Sequence, residues 1–450
     1  MRNQMRKMTA LFLAALMIFA CTACGNDKPA EPKPGQNSSV NTPTTASGEG
    51  SETTPAESGQ AMSMGTKALT GSSGTAPSVK AMDETMRKAY ATFAYRLFDS
   101  CIKGQNGATK NCLISPFSVY TALAMVACGA NGNTAAQMND VLGLDEATRN
   151  AYMAAWISAL TGQDDVAFTC ADSVWVNNSF REVVPEEFLR SCADYFRAEV
   201  YAADMDDKTV DDINAWTDKN TKEMIKKILE YGDLSPSIAA VLANAITLDA
   251  KWEIPFRQET INENAVFTHG DGTEEKVAMM YGEADRCYLE NDFFTGCAKS
   301  YQGRNYRYVA LLPKDGVSIE EAIASLTPES VDSLFAGTVA CTVNFRIPKY
   351  TTEFKTELQD ILKDLGMSDA FTFGKADFTR MIRTGETRID RVIHKTFLSL
   401  DNEGTKSAAV TLVTMRNLSV GNTRTVTLDR PFVYMIVDGN NLPLFIGTYR

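Results

Sequence analysis

The composition of this chain changes abruptly near residue 82, and this boundary separates a part that can form a hydrophobic core from a part that cannot. Residues 25–81 are rich in Ser, Thr, Pro, Gly and Glu, so they cannot bury enough apolar surface to offset the entropy of ordering. Residues 82–450 contain no Gly- or Pro-rich break and no internal repeat. We therefore expect one large domain over residues 82–450, preceded by a disordered tether over residues 25–81. A sugar-bearing stalk is the alternative for the tether.

The first 24 residues predict an export signal. A basic start is followed by a short apolar run from Ala10 to Ala20, which is too short to span a membrane. The run ends in ACTACGN at residues 20–26, which resembles a bacterial lipoprotein cleavage site. We predict that residues 1–24 form a lipoprotein signal peptide and that Cys24 is lipidated, with Cys21, or a plain cleaved signal, as the alternatives. The protein would then be exported and held at the outer face of a bacterial membrane, or released extracellularly.

Charge and cysteine spacing exclude several kinds of partner. The net charge of −12 opposes binding to nucleic acid or to an anionic membrane surface. Outside the leader there is no CxxC motif, so we expect no metal site, and no motif predicts a cofactor. We expect buried free thiols at the eight cysteines of the large domain, which are Cys101, Cys112, Cys128, Cys170, Cys192, Cys287, Cys297 and Cys341.

Hydrophobic periodicity predicts an α+β domain. Apolar residues from Met86 to Phe98 recur at spacings of three and four, which indicates a helix, and a second helix is predicted over residues 213–229. Strand-like runs occur at residues 173–176, 308–312 and 342–345. Helices dominate the first half of the domain and strands the second, which favours an α+β arrangement.

Motifs of hydrolytic enzymes are missing from the sequence. The two histidines are His269, in a turn-like segment where we expect a solvated side chain, and His394, in an apolar strand-like run. There is no GxSxG elbow, no HExxH and no phosphate-binding glycine loop. We therefore predict that the protein is not an enzyme.

Residues 403–414 predict a strand with unusual properties. Small side chains occupy alternate positions, and such a face suits a segment that slides into an existing sheet without overpacking it. Gly404 supplies the backbone freedom of a hinge. Residues 415–424 are polar and loop-like, so the whole segment is predicted to be a mobile loop with a latent strand in its first half; an ordinary edge strand is the alternative. The small face comprises Thr405, Ser407, Ala409 and Thr411.

Several blocks, in this order along the chain, resemble the serpins, serine protease inhibitors that act by loop insertion. The resemblance covers residues 82–450. It implies the serpin fold, in which helices surround a large central mixed sheet, smaller sheets lie beside it and a reactive-centre loop is exposed. The blocks are NCLISPFSV at 111–119, NAI and KWEIPF at 244–246 and 251–256, residues 267–280, residues 365–378, IDRVIHKTF at 389–397, DRPFVYMI at 429–436 and PLFIG at 443–447.

The resemblance also implies roles for individual residues. A buried polar cluster behind the central strands, which lets the sheet open, would comprise Ser115, Ser118, Asn244 and His394. Trp252 would lie where loop insertion begins. Family members usually carry Glu where this chain has Asn402, so the ion pair that often restrains the loop root is in question. The hinge would comprise Glu403, Gly404, Thr405, Lys406, Ser407, Ala408, Ala409 and Val410. The reactive bond would be Leu418–Ser419, with Val420 and Arg416 as alternative sites.

The function implied by the resemblance is suicide-substrate inhibition of serine-type endopeptidases. Leu418 would favour elastase-like, chymotrypsin-like or subtilisin-like targets, and the partner would be a protease held as a covalent acyl complex. We expect a monomer. The alternatives are a non-inhibitory serpin that acts as a binding module, an inhibitor of papain-like cysteine proteases, a lipid-tethered solute-binding protein and a secreted hydrolase.

Overall fold

The structure is a computed structural model of the 450-residue chain. It describes residues 11–22, 67–68, 79–104, 110–161, 167–221, 223, 225–383, 386–405 and 422–450. Over these ranges the chain forms helices packed around a large mixed sheet and two smaller sheets, which confirms the predicted α+β class.

Nine α-helices lie in the described part of the chain. They are α1 (Glu84–Gly104), α2 (Pro116–Ala127), α3 (Gly132–Leu142), α4 (Glu146–Thr161), α5 (Glu186–Phe196), α6 (Asp207–Asn220), α7 (Ile319–Ala324), α8 (Pro328–Ala336) and α9 (Gln359–Leu365). Short 3-10 helices cover Arg181–Val183, Gln258–Thr260, Gln302–Arg304 and Asp369–Phe371.

The strands of the described residues contribute to all three sheets. They are β1 (Leu11–Thr22), β2 (Lys67–Ala68), β3 (Leu113–Ile114), β4 (Ala167–Asn177), β5 (Glu199–Ala203), β6 (Ile238–Lys251), β7 (Asn262–Thr268), β8 (Glu274–Glu283), β9 (Tyr288–Glu290), β10 (Phe294–Ser300), β11 (Arg307–Pro313), β12 (Thr342–Pro348), β13 (Tyr350–Glu357), β14 (Glu386–Leu400), β15 (Gly404–Thr405), β16 (Thr423–Thr427), β17 (Phe432–Val437) and β18 (Pro443–Tyr449).

Helix α2 lies in the centre of the molecule. Every one of its residues is buried, as expected for a helix that is apolar on all sides. Its N-cap is Ser115, whose hydroxyl accepts a hydrogen bond from the backbone N–H of Ser118 at 3.1 Å, and Pro116 follows at the first helical position. The helix packs against β1, β6 and β18, so its first turn lies directly behind the central sheet.

The central sheet has the strand order β13-β14-β1-β6-β4-β5-β2, with β15 paired to one end of β6. All neighbours are antiparallel except β4 and β5, which are parallel. Alternate residues of β6 belong to two different cores. Leu242 and Ile246 belong to the larger one, the main core, which also contains the apolar residues of α2, whereas Val241 and Ala243 belong to a second core around Trp175. The sheet is therefore covered on both faces, which explains why β6 is apolar almost without interruption.

Strand β1 comes from the predicted signal peptide and lies between β6 and β14. It pairs antiparallel with both neighbours over most of its length, with Leu11 opposite Leu248 of β6 and Thr22 opposite Glu386 of β14. The side chain of Met17 is fully buried in the main core. In the full-length chain the apolar run of the leader is thus an interior strand of the sheet. Its removal by a signal peptidase stays a prediction.

The two smaller sheets complete the fold. One has the order β3-β18-β17-β11-β10-β9 and is antiparallel throughout, and the other has the order β16-β12-β8-β7. In the second, β16 pairs parallel with β12. The predicted strands at residues 173–176, 308–312 and 342–345 lie in β4, β11 and β12.

The predicted helix over residues 213–229 is wrong in its second half, because α6 ends at Asn220. Beyond that point the side chain of Asn214 replaces helical hydrogen bonds: its Oδ1 accepts from the backbone N–H groups of Ile228 and Leu229 at 2.8 and 3.1 Å. The hydroxyl of Thr221 accepts from the backbone N–H of Ile225 in the same way. Ile225, Ile228 and Leu229 are buried in irregular chain, so their apolar spacing arose from packing rather than from a helix.

The cysteines of the large domain are thiols, as predicted. Six are buried, also as predicted, whereas Cys170 and Cys287 are only half-buried, so the prediction of burial is wrong for these two. Burial raises the pKa of Cys101 to about 12 and that of Cys128 to about 11, which keeps both thiols protonated and unreactive at neutral pH.

Two further observations concern the segments around the domain. Residues Lys67 and Ala68 of the predicted tether form β2 at the edge of the central sheet, and most of the remaining tether lies outside the described residues. Among the helices of the described residues, none combines the length and apolar character that a membrane span requires.

Candidate functional site

The loop root enters the central sheet immediately after β14. Gly404 and Thr405 form β15, which pairs antiparallel with β6, with Gly404 opposite Lys251 and Thr405 opposite Ala250. Both residues are buried. Two residues near the start of the predicted latent strand are therefore already a strand of the sheet.

Gly404 is required at this point by a close approach of two backbones. A Cβ atom on Gly404 would overlap the carbonyl oxygen of Ala250 and lie 2.7 Å from the Cα of Lys251. The residue also has φ of 154°, a conformation that side chains disfavour. Glycine is thus needed for the contact between β15 and β6 as well as for hinge freedom.

An aromatic stack supports the loop root. Trp252 and Tyr301 are fully buried, and their rings stack with centroids 4.5 Å apart. The hydroxyls of Tyr301 and Thr405 are hydrogen-bonded at 2.8 Å, and the indole N–H of Trp252 donates to the carbonyl of Asp401 at 3.0 Å. Trp252 therefore contacts the turn that precedes β15. Its role at the start of loop insertion, which the resemblance implied, stays a prediction.

A carboxylate one residue before Asn402 organises the turn that precedes β15. Oδ1 of Asp401 accepts hydrogen bonds from the backbone N–H groups of Glu403 and Gly404 at 2.8 and 3.2 Å. The carbonyls of Asn402 and Glu403 accept from the backbone N–H groups of Phe256 and Trp252, both at 2.9 Å. Glu403 forms no ion pair within the described residues, so the turn is held by Asp401 and by the backbone.

The first half of the predicted polar cluster lies between α2, β4 and β6. The hydroxyl of Ser118 donates a short hydrogen bond to Oδ1 of Asn244. The amide of Asn244 in turn donates to Oδ1 of Asp172, directly across the sheet, at 2.7 Å. All three side chains are buried.

The second half of the cluster lies between α2, β14 and β18. The backbone N–H of Ser115 donates to Nε2 of His394 at 3.1 Å, and the hydroxyl of Ser115 donates to the carbonyl of Leu444 at 2.7 Å. No hydrogen-bond partner for Nδ1 of His394 is found in the part of the chain that the structure describes. Because the ring is fully buried, desolvation lowers the pKa of His394 to about 3, and the ring is neutral at physiological pH.

Strand β1 separates these two halves. Ala15 lies opposite Asn244 on one side and opposite His394 on the other. The structure thus brings Ser118 to Asn244 and Ser115 to His394, and the two pairs are joined through the first turn of α2. Asn244 and His394 themselves are held one full strand apart.

Asp172 is a member of this cluster that the sequence analysis missed. Its carboxyl is buried, and the thiol of Cys170 donates to its Oδ2 at 3.6 Å. Burial raises the pKa of Asp172 to about 7, whereas the hydrogen bond from Asn244 works in the opposite direction. The available signal was an acidic residue at the start of the strand-like run that continues through Val174, Trp175 and Val176, where a charged side chain is costly.

Neither histidine is hydrogen-bonded to a serine hydroxyl within the described residues. His269 is less solvated than predicted: its Nδ1 lies 2.8 Å from the carbonyl oxygen of Arg450, and its Nε2 lies 3.2 Å from Glu275.

Comparison with known proteins identifies the family to which this chain belongs. The sequence profile described as Serpin (serine protease inhibitor) matches residues 88–450. This chain belongs to the serpin family. Serpins are typically protease inhibitors, and they are not generally enzymes.

Individual relatives agree with this assignment. Serpin B9 of Homo sapiens is 30% identical over 381 residues, covering 81% of this chain and 99% of that protein. The crystal structure of Tengpin, a thermophilic serpin, in its native state is 34% identical, covers 82% of this chain and 95% of the other, and superposes with a TM-score of 0.74. The latent state of Tengpin gives a TM-score of 0.72 at the same identity, covering 82% and 98%.

Several predicted residues of this serpin lie outside the described residues. They are Lys406, Ser407, Ala408, Ala409 and Val410 of the hinge, Leu418 and Ser419 of the reactive bond with the alternatives Arg416 and Val420, and the lipidation residue Cys24. Their roles stay predictions.

Proposed function

We propose that this serpin, once its leader has been removed, is a suicide-substrate inhibitor of serine-type endopeptidases. The observation that carries the proposal is the pairing of β15 with β6: the loop root has already entered the central sheet and points along β6. Continued without a bulge, this register would carry the following loop residues down the edge of β6, between β6 and β14.

The polar cluster supports the same proposal, because it lies where a strand must be accommodated. Ser115, Ser118, Asn244 and His394 are joined by hydrogen bonds that can break and re-form, unlike interlocked aliphatic side chains. The structure has β6 and β14 on either side of an inserted strand, with the cluster intact on each side. The sheet therefore tolerates an added strand at this position.

The chemistry would follow that of a substrate up to the acyl-enzyme. The serine hydroxyl of the protease attacks the carbonyl carbon of Leu418, the bond to Ser419 breaks, and the new amine leaves with the proton. The segment from Gly404 to Leu418 is then free at its far end and joined by an ester to the protease. About ten new backbone hydrogen bonds at roughly 1 kcal/mol each would favour its insertion. If insertion outruns hydrolysis of the ester, the protease is carried along and held.

We also propose where the protein acts. Lipidation of Cys24 would anchor the inhibitor as a monomer at the outer face of a bacterial membrane, and the tether would hold the domain away from that surface. The predicted cleavage site and the composition of residues 25–81 support this proposal.

The test uses the chain without its leader, which we call the processed chain, and incubates it with elastase, chymotrypsin, subtilisin, trypsin and papain. We expect a complex that survives SDS with at least one of the first three, and a released C-terminal peptide that begins at Ser419 by mass spectrometry. The variant Leu418→Arg should redirect complex formation to trypsin, whereas Leu418→Met should retain the original targets. Cleavage by every enzyme without a complex would indicate a non-inhibitory serpin, and a complex with papain alone would indicate an inhibitor of cysteine proteases.

A further inference from the structure

The leader strand β1 and the loop-root strand β15 lie in line along the same edge of β6. Strands β1 and β15 are both antiparallel to β6, so they run in the same direction. Thr405 lies opposite Ala250, and Leu11 lies opposite Leu248, so one residue of β6 separates the two pairings. The leader therefore lies between β6 and β14, in the position that the chain after Thr405 would enter if β15 were extended.

The register makes this overlap specific. If the loop continued from Thr405 in the same register, Ser407 would lie opposite Leu248, the residue that Leu11 now faces. By the same count, Thr411 would take the place of Ala15 between Asn244 and His394, and Val413 would take the place of Met17. Two strands cannot pair with the same edges of β6 and β14, so the two occupants exclude each other.

The sequences of the two segments favour the leader. At the positions that the register makes equivalent, the leader carries Leu11, Leu13, Ala15, the buried Met17 and Phe19, and the loop carries Ser407, Ala409, Thr411, Val413 and Met415. Full burial of a leucine or phenylalanine side chain contributes about 1.5–3 kcal/mol, far more than burial of serine or alanine. The leader also lacks charged residues from Leu11 to Thr22, so no charge would be desolvated.

We infer that the leader strand Leu11–Thr22 is an internal ligand of the central sheet, which blocks loop insertion for as long as the leader is retained. The unprocessed chain would then be a substrate of proteases and not an inhibitor. Cleavage of the leader would vacate the position between β6 and β14 and so activate the molecule. Pairing of the leader with the sheet does not depend on the proposed function. The effect of that pairing on protease inhibition does rest on the proposed function.

The first test measures occupancy without reference to any protease. The full chain is produced without export, so that the leader is retained, and backbone hydrogen exchange of residues 11–22 is followed by mass spectrometry. We expect protection of these amides by at least 100-fold relative to an open chain. The variant Met17→Asp should abolish the protection, because it places a charge at a fully buried position, whereas Met5→Asp, outside the strand, should retain it. Exchange at open-chain rates in the unsubstituted full chain would overturn the inference.

The second test measures the consequence for inhibition. With the protease that the processed chain captures, the unsubstituted full chain and Met5→Asp should be cleaved without forming a complex that survives SDS. Met17→Asp should recover complex formation. If that variant does not fold, the full chain is compared with the processed chain instead. Equal complex formation by the full and the processed chains would overturn the inference. If residues 11–22 are protected but no form of the chain captures a protease, leader binding stands and the proposed inhibitory function fails.

Discussion

At the scale of single residues, the polar cluster contains two titratable groups whose effects on stability oppose each other. The folded-state pKa of Asp172 is raised from 3.8 to about 7, so stability is lost as the pH rises between these values. The folded-state pKa of His394 is lowered from 6.5 to about 3, so stability is lost as the pH falls between these values. The two groups lie on β4 and β14, with β6 and β1 between them, and their contributions largely cancel between about pH 4 and 6.5.

Removing one group should expose the pH dependence of the other. Asp172→Asn leaves His394, so the free energy of unfolding should rise from pH 4 to 6.5 by up to about 1.4 kcal/mol per pH unit. His394→Gln leaves Asp172, so the free energy of unfolding should fall over the same range. Urea unfolding of the three proteins at several pH values measures this. Profiles of the same shape for both variants and the unsubstituted chain would contradict these assignments.

Thr405 decides whether the loop root can stay in the sheet. Its side chain is fully buried and bonded to Tyr301, so Thr405→Arg would bury a charge without a partner. In the processed chain we expect this variant to be cleaved at the unchanged bond but to form less than about a tenth of the SDS-stable complex, a difference of about 1.4 kcal/mol in the competition between insertion and hydrolysis. Thr405→Ser retains the hydroxyl and is the matched control. Normal complex formation by Thr405→Arg would show that β15 need not remain paired.

At the scale of secondary-structure elements, helix α2 couples the polar cluster to the core. The hydroxyl of Ser115 accepts from the backbone N–H of Ser118 as the helix cap and donates to the carbonyl of Leu444, and the residue is fully buried. Ser115→Ala should lower the free energy of unfolding by about 1–3 kcal/mol, since both buried partners are left unpaired. Ser318 caps the short helix α7 at an exposed site, so Ser318→Ala should cost less than 1 kcal/mol. Equal losses in urea unfolding would contradict a special role of the α2 cap.

The elements also show what the sequence could and could not predict. The strands β4, β11 and β12 and the helix α1 follow from local periodicity, and the ordered blocks predict the serpin fold. The end of α6 was missed because it depends on hydrogen bonds to the side chain of Asn214, which hydrophobic periodicity does not reveal. Asp172 was missed because its partner Asn244 is distant in the sequence and adjacent only across β4 and β6.

The leader strand was missed for a different reason. Its apolar run fits an export signal, and nothing within residues 1–24 indicates a partner strand. Its position depends on two edges, on β6 and β14, that are adjacent to it only in the folded chain. The hinge residues Gly404 and Thr405 were predicted as a latent strand, but the close backbone approach that requires Gly404 depends on Ala250 and Lys251 and so could not be predicted.

At the scale of the whole molecule, we expect the domain to gain stability when its central sheet receives one more strand. In the full chain the leader is that strand, and in the processed chain the loop would be. The leader pairs with both β6 and β14, and an inserted loop would pair with the same two edges, so either one would cover backbone groups that otherwise lack partners in the sheet. The same position thus links processing of the leader, cleavage of the loop and stability.

The gain in stability from loop insertion can be measured by the melting temperature of the processed chain, before and after a protease cuts its loop between residues 406 and 421. Insertion would add roughly 10 kcal/mol of hydrogen bonding, so the cut molecule should melt on the order of 20 °C higher than the intact one. An unchanged or lower melting temperature after the cut would show that the central sheet gains nothing by accepting the loop.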